Sequence, residues 1–353
     1  MPGGNVYRHS NGKWVQLAEN NVAIPRFQVD RLEAQVTPAP PPATNQGIFF
    51  GHFDDRNRTG WGAGWNQFDQ HMADQVGISR PVSTFIHGYS GATMPNTFQS
   101  SSVASAEAMG LGAMLNVKWD WNQAANGGLD SRIVSFFNSW PVSVPGMVTL
   151  NHEPENDGPS PANPSNAAYV TWANANAPIW KAGLKRFIDV AAPIIRARGL
   201  KVKVGGCLMD FSWDTTRWQF WDWWTNITPA NINEVTFGID AYWKHLNSPL
   251  RGIDPKPRVN ELLAVVRSAG IKSFSFWETA VDRRQRGSET VIGTQESCAT
   301  WWNSYALFLK SIPEVDFVCY FHTPSGPASG QAWLEGVGAA AYANICMSNR
   351  RPG

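Results

Sequence analysis

Two carboxylates with unusual neighbours carry the chemistry in this chain. One is in Asn151-His152-Glu153-Pro154-Glu155 and the other in Phe276-Trp277-Glu278-Thr279. Each motif closes a mostly apolar run, as expected where a buried strand delivers a polar side chain to its end. A carboxyl pair of this kind can cleave a glycosidic bond. One member stays protonated and donates to the departing oxygen, while the other stays ionised and attacks or stabilises the anomeric carbon. The two need environments that push their pKa values apart. A separation of about 5–5.5 Å would mean a retaining double displacement. Each Glu also has a plainer reading. Glu153 could cap a loop or pair with an Arg, and Glu278 could pair with Arg283 or Arg284. Glu155 reads as a solvated loop carboxylate.

Eight strand-like runs must position these residues. They are 47–54, 80–88, 112–120, 146–155, 202–211, 235–243, 272–281 and 315–323, and helical segments fill the gaps between them. Trp180, Leu184, Phe187, Ile188, Ala191 and Ile195 recur at helical spacing, as do Val259, Leu262, Leu263 and Val266 ahead of Gly270. Pro193 is expected to kink the first of these helices or end it early. Eight strand–helix units predict an α/β fold, a (β/α)8 barrel whose active site lies at the C-terminal strand ends. A doubly wound sheet would bring a Gly-rich phosphate loop, and no G-x-G-x-x-G follows the first strand.

At these residues the chain resembles the clan A glycoside hydrolases, with an acid/base Glu ending strand four and a nucleophile Glu ending strand seven. The resemblance implies Glu153 as acid/base and Glu278 as nucleophile. Tyr242, in Asp240-Ala241-Tyr242-Trp243, would hydrogen-bond the nucleophile; a buried tyrosine with any convenient partner is the plainer reading. His152 stands where the clan has Asn, which is nearest to the family 26 mannanase-like pattern. The usual contact to the sugar 2-hydroxyl would then fall to His152 or Asn151.

Composition agrees with a glycan cleft. There are 18 Trp residues, and about half are expected to be core fillers. Trp61, Trp65, Trp119, Trp213, Trp243 and Trp277 fall at predicted strand ends and could stack on sugars, with Asp120 and His322 among the groups that could bond hydroxyls. A net charge of +1 with no basic run argues against nucleic acid or an anionic membrane as main partner. No apolar run is long enough to insert in a membrane, and no basic-then-apolar secretory leader opens the chain. Cys207, Cys298, Cys319 and Cys346 are widely spaced, so neither a disulfide framework nor a metal site is expected. No cofactor is called for. H-E-x-x-H and G-x-S-x-G are both absent.

Residues 1–36 read as an N-terminal attachment segment with hairpin chemistry around Ser10-Asn11-Gly12. Residues 37–46, TPAPPPATNQ, read as a Pro-rich linker, and 47–353 as the catalytic barrel. The opening GGNVYRHSNGKWVQ resembles the leader segments of phage minor tail proteins. That resemblance implies a virion-borne depolymerase of a bacterial surface or cell-wall polysaccharide, docked on other tail proteins through residues 1–36. A reading from another class is a non-catalytic glycan- or receptor-binding tail protein on a silenced barrel. Widely separated carboxylates, or a pair blocked by Arg283 or Arg284, would favour it.

Overall fold

The computed structural model describes residues 6–10, 13–19, 22–23, 49–54, 72–77, 84–91, 93–159, 167–209, 229–244, 256–282, 294–322 and 336–349. The first strands are β1 (Val6–Ser10), β2 (Lys13–Glu19) and β3 (Val22–Ala23). β1 and β2 are antiparallel, with Ser10 opposite Lys13. The pairing agrees with the hairpin expected from Ser10-Asn11-Gly12, of which Asn11 and Gly12 lie outside the described residues.

The barrel is built from β4 (Phe49–Asp54), β5 (Phe85–Ser90), β6 (Gly112–Val117), β7 (Gly146–Leu150), β8 (Val202–Gly205) with β9 (Cys207–Met209), β10 (Phe237–Lys244), β11 (Phe274–Asp282) and β12 (Val315–His322). Pairing is parallel throughout, in the orders β5-β6-β7-β8 and β9-β10-β11-β12-β4. Two seams close the ring. At one, the Thr84 amide donates to Phe50 O at 2.6 Å, and Thr84 Oγ1 accepts from Phe50 N at 2.8 Å. At the other, the fifth barrel strand is broken at Gly206, so that β8 pairs with β7 and β9 with β10. Thr236 N then donates to Val204 O at 3.1 Å, and Glu153 N to Cys207 O at 3.0 Å. The chain therefore folds as a (β/α)8 barrel.

Helices pack on the outside: α1 (Ser105–Met109), α2 (Trp121–Ala125), α3 (Asp130–Ser139), α4 (Ala167–Ala197), α5 (Lys256–Ser268), α6 (Gln295–Lys310) and α7 (Gly336–Asn349). The predicted apolar stripe of α4, from Trp180 to Ile195, is buried against the strands. Pro193 does not end α4, which runs through both Pro178 and Pro193. α5 ends as expected, with Gly270 at φ 76°.

Outward side chains such as Ile86, Leu115, Val148 and Ile239 join the helices in the main core. A second apolar cluster draws only on strands: Phe85, Met114, Met147, Cys207, Trp277, Phe317 and Cys319. It fills the inside of the barrel. By strand alternation the inward columns then turn polar, from Phe85 to His87 and Tyr89, from Met114 to Asn116, and from Gly238 to Asp240 and Tyr242. The apolar floor carries a polar mouth.

Candidate active site

Two backbone irregularities aim the carboxylates. The predicted fourth strand (146–155) stops at Leu150, because Asn151 (φ 51°) and Glu153 (φ 50°) take left-handed conformations. Such conformations are uncommon for residues with a Cβ, and they break the ladder. Pro154 then starts a 3-10 turn over Pro154–Asp157. Across the mouth, the β10–β11 register slips: Ile239 faces Phe276, but Asp240 faces Glu278. The extra residue is Trp277, so β11 carries a bulge at the motif itself. A bulge re-aims a side chain. Here Trp277 turns down into the floor and Glu278 joins the mouth.

Side chains from five barrel strands meet there. Glu278 is 5% exposed. Tyr242 donates to its Oε2 and Tyr89 to its Oε1. His152 Nε2 lies 2.7 Å from Asp240 Oδ2 and 3.5 Å from Glu278 Oε1. Cys207 Sγ donates to Asp240 Oδ1 at 3.2 Å. Glu153 is more open and accepts from Asn156 Nδ2 at 3.2 Å. One ligand atom each from His152, Glu153, Asp240 and Glu278 lies within 4.8 Å of the others. His152, Cys207 and Asp240 form a similar trio. Either set has the spacing to hold a cation, but these atoms already partner one another and the flanking tyrosines.

Electrostatics follow from crowding acids in a dry place. Burial, and then the charge of Asp240, push the Glu278 carboxyl up to about 8, while His152 and the Tyr242 hydrogen bond pull the other way. Asp240 is held well above the usual carboxylate range by burial and by the neighbouring charge of Glu153. Burial and Glu278 raise both Tyr89 and Tyr242, so both phenols keep the protons they donate.

Of the residues singled out in the sequence, Glu153, Glu278, Tyr242 and His152 come together. Others are engaged elsewhere. Trp119 is 3% exposed and packs edge-on against Phe187 at 5.2 Å, in the core under α4. Trp277 is fully buried in the floor, sent there by the bulge. Asp120 caps α2, its Oδ1 accepting from Asn122 N at 2.8 Å and Gln123 N at 3.3 Å. Asn151 is buried and donates to Asp157 Oδ2 at 2.9 Å, which holds the turn together. Glu155, expected to be solvated, is fully buried and accepts from the Met209 amide. Trp61, Trp65 and Trp213 lie outside the described residues, as do Arg283 and Arg284. For Trp243 in β10 and His322 in β12 only the backbone is described. Half-buried Trp121 and Trp172, 6.2 Å apart, follow the third and fourth barrel strands. Tyr89 was hidden because the second strand, predicted over 80–88, runs over 85–90. Reading a strand's apolar alternation two residues further would have found it.

No family model matches the chain, and no curated protein matches it. Solved structures do. A GH5-4 broad specificity endoglucanase from an uncultured bacterium aligns over 87% of this chain and 94% of its own, at 11% identity and a TM-score of 0.53. A GH5 xyloglucan-specific endo-β-1,4-glucanase from a metagenomic library covers 85% and 96%, at 13% and 0.47. A GH128 (subgroup VII) oligosaccharide-binding protein from Trichoderma gamsii covers 88% and 98%, at 13% and 0.45. The endoglucanase at 0.53 shares the barrel fold.

Proposed function

We propose that the protein is a retaining glycoside hydrolase that cleaves a polysaccharide, with Glu153 as acid/base and Glu278 as nucleophile. One observation carries this reading: carboxylate oxygens of Glu153 and Glu278 lie within 4.8 Å at the ends of the fourth and seventh barrel strands. That spacing favours a retaining double displacement, since an inverting enzyme needs about 6.5–9.5 Å to admit a water. In the first half-reaction the ionised form of Glu278, the minor form below about pH 8, attacks the anomeric carbon as Glu153 protonates the leaving oxygen. In the second, Glu153 takes a proton from water as that water attacks the same carbon and releases Glu278. A silenced, purely binding barrel would be favoured by carboxylates far apart or blocked by an arginine; the short Glu153–Glu278 spacing supports the catalytic reading.

The His152–Glu153 pair supports a mannanase-like pattern. The opening segment and Pro-rich stretch support a tail-borne depolymerase of a bacterial surface or cell-wall glycan, located in the virion and docked through residues 1–36, with 37–46 as linker and 47–353 as the catalytic unit. The deciding experiment measures reducing-sugar release from mannans, glucans and purified bacterial cell-wall polysaccharides. Wild type should release sugar from one class, and Glu153→Gln and Glu278→Gln should each abolish it while remaining folded. Binding that survives both substitutions, with no release from any glycan, would leave a receptor-binding barrel.

A further inference from the structure

Glu278 sits where its own charge is disfavoured. It is buried, Asp240 is beside it, and among the described residues the basic side chain that comes nearest is the imidazole of His152, 3.5 Å from Oε1. A dry carboxylate keeps its charge only when donors face its oxygens. Tyr242 serves Oε2 from the sixth barrel strand. The donor to Oε1 is Tyr89, from the end of the second. The Tyr89 ring stands edge-on to His152 at 5.5 Å and tilted on His87 at 4.9 Å. His87 is itself fixed by Asn116 at 2.8 Å and by Cys319 at 3.2 Å. The phenol is therefore aimed by a packed column reaching down to the barrel floor.

We propose that Tyr89 is a positioning residue for the nucleophile, its hydroxyl holding Oε1 of Glu278 so that, with Tyr242 on Oε2, the carboxylate can ionise in a dry mouth. The proposal rests on the glycosidase reading of Glu278. Neutral donors suit this task. A phenol supports the anion without the full ion pair that would blunt its attack, and it can let go when the carboxylate becomes a glycosyl ester. Burial and the charge of Glu278 keep the Tyr89 proton in place across the range where Glu278 titrates.

Tyr89→Phe removes one oxygen and keeps the ring packing. The Glu278 carboxyl can be followed by carbon NMR of the glutamate-labelled protein, assigned by its loss in Glu278→Gln. Loss of a hydrogen bond to a charged group should move that titration upward by roughly 1–2 pH units. The acid limb of kcat/KM should move with it, with KM little changed. Tyr242→Phe provides the reference shift for the other oxygen. A Glu278 titration unmoved by Tyr89→Phe overturns the proposal, because a packing role alone would not touch it. A shifted titration in a protein that cleaves no glycan would uphold the donor role and overturn the nucleophile assignment, which keeps the two readings separable.

Discussion

A carboxyl as buried as Glu278 is a liability to the fold, and the sign of that liability is fixed. Its folded-state pKa, about 8, lies above the ordinary 4.5, so the folded chain binds this proton more tightly than the unfolded chain does. The associated stability is fully present below about pH 4.5 and is lost as pH rises through about 8, with a slope of at most about 1.4 kcal/mol per pH unit. Glu278→Gln should remove that slope. Urea titrations from pH 5 to 8 should show the variant gaining on wild type as pH rises. At the other carboxylate, Glu153→Gln should cost roughly 10²–10⁴-fold on substrates with poor leaving groups. Aryl glycosides with acidic leaving groups should be cleaved with a smaller loss in the glycosylation step. The convergence of Glu153, His152, Tyr242 and Glu278 was legible in the sequence because each falls near the end of an apolar run and at a position that the clan A resemblance singles out. What the sequence concealed was direction. Trp277 and Glu278 are adjacent, and only the bulge decides that one goes down and the other reaches the mouth. Asn151 and Asp120 look like sugar ligands by type, but close neighbours along the chain engage them, the Asp157 carboxylate for Asn151 and the first amides of α2 for Asp120.

Among the elements, the strands were more legible than their ends. Parallel strands covered on both faces show as apolar runs, and all eight were located. Their termini depend on backbone conformations that residue type encodes poorly, such as the left-handed Asn151 and Glu153. α4 makes the same point, since burial of its long apolar stripe outweighs the helix-breaking tendency of Pro178 and Pro193. Two elements offer direct tests. Asp120→Ala should destabilise α2 by about 1 kcal/mol through the lost cap, with little effect on turnover. Such independence would separate it from the sugar-binding role first expected. At the β4–β5 seam, Thr84→Val keeps the shape but removes the acceptor for Phe50 N. It should cost about 1–3 kcal/mol in chemical denaturation.

At the scale of the whole molecule, ring closure couples the floor to the mouth. A Cβ at Gly238 would overlap the Trp277 indole and crowd Gly206 O at 2.8 Å. Gly238→Ala should therefore push on the bulge residue next to Glu278. A lowered Tm together with a disproportionate loss of kcat is the expected result, and loss of Tm alone would show that floor and mouth are uncoupled. The four sulfhydryls have a further use. None is in a disulfide and all are buried: Cys207 and Cys319 within the ring, Cys298 on α6 and Cys346 on α7. A thiol-specific dye can reach them only when the structure opens, so labelling rates act as built-in clocks of local unfolding. With single-cysteine variants, one pair would time the breathing of the ring and the other the detachment of its outer helices.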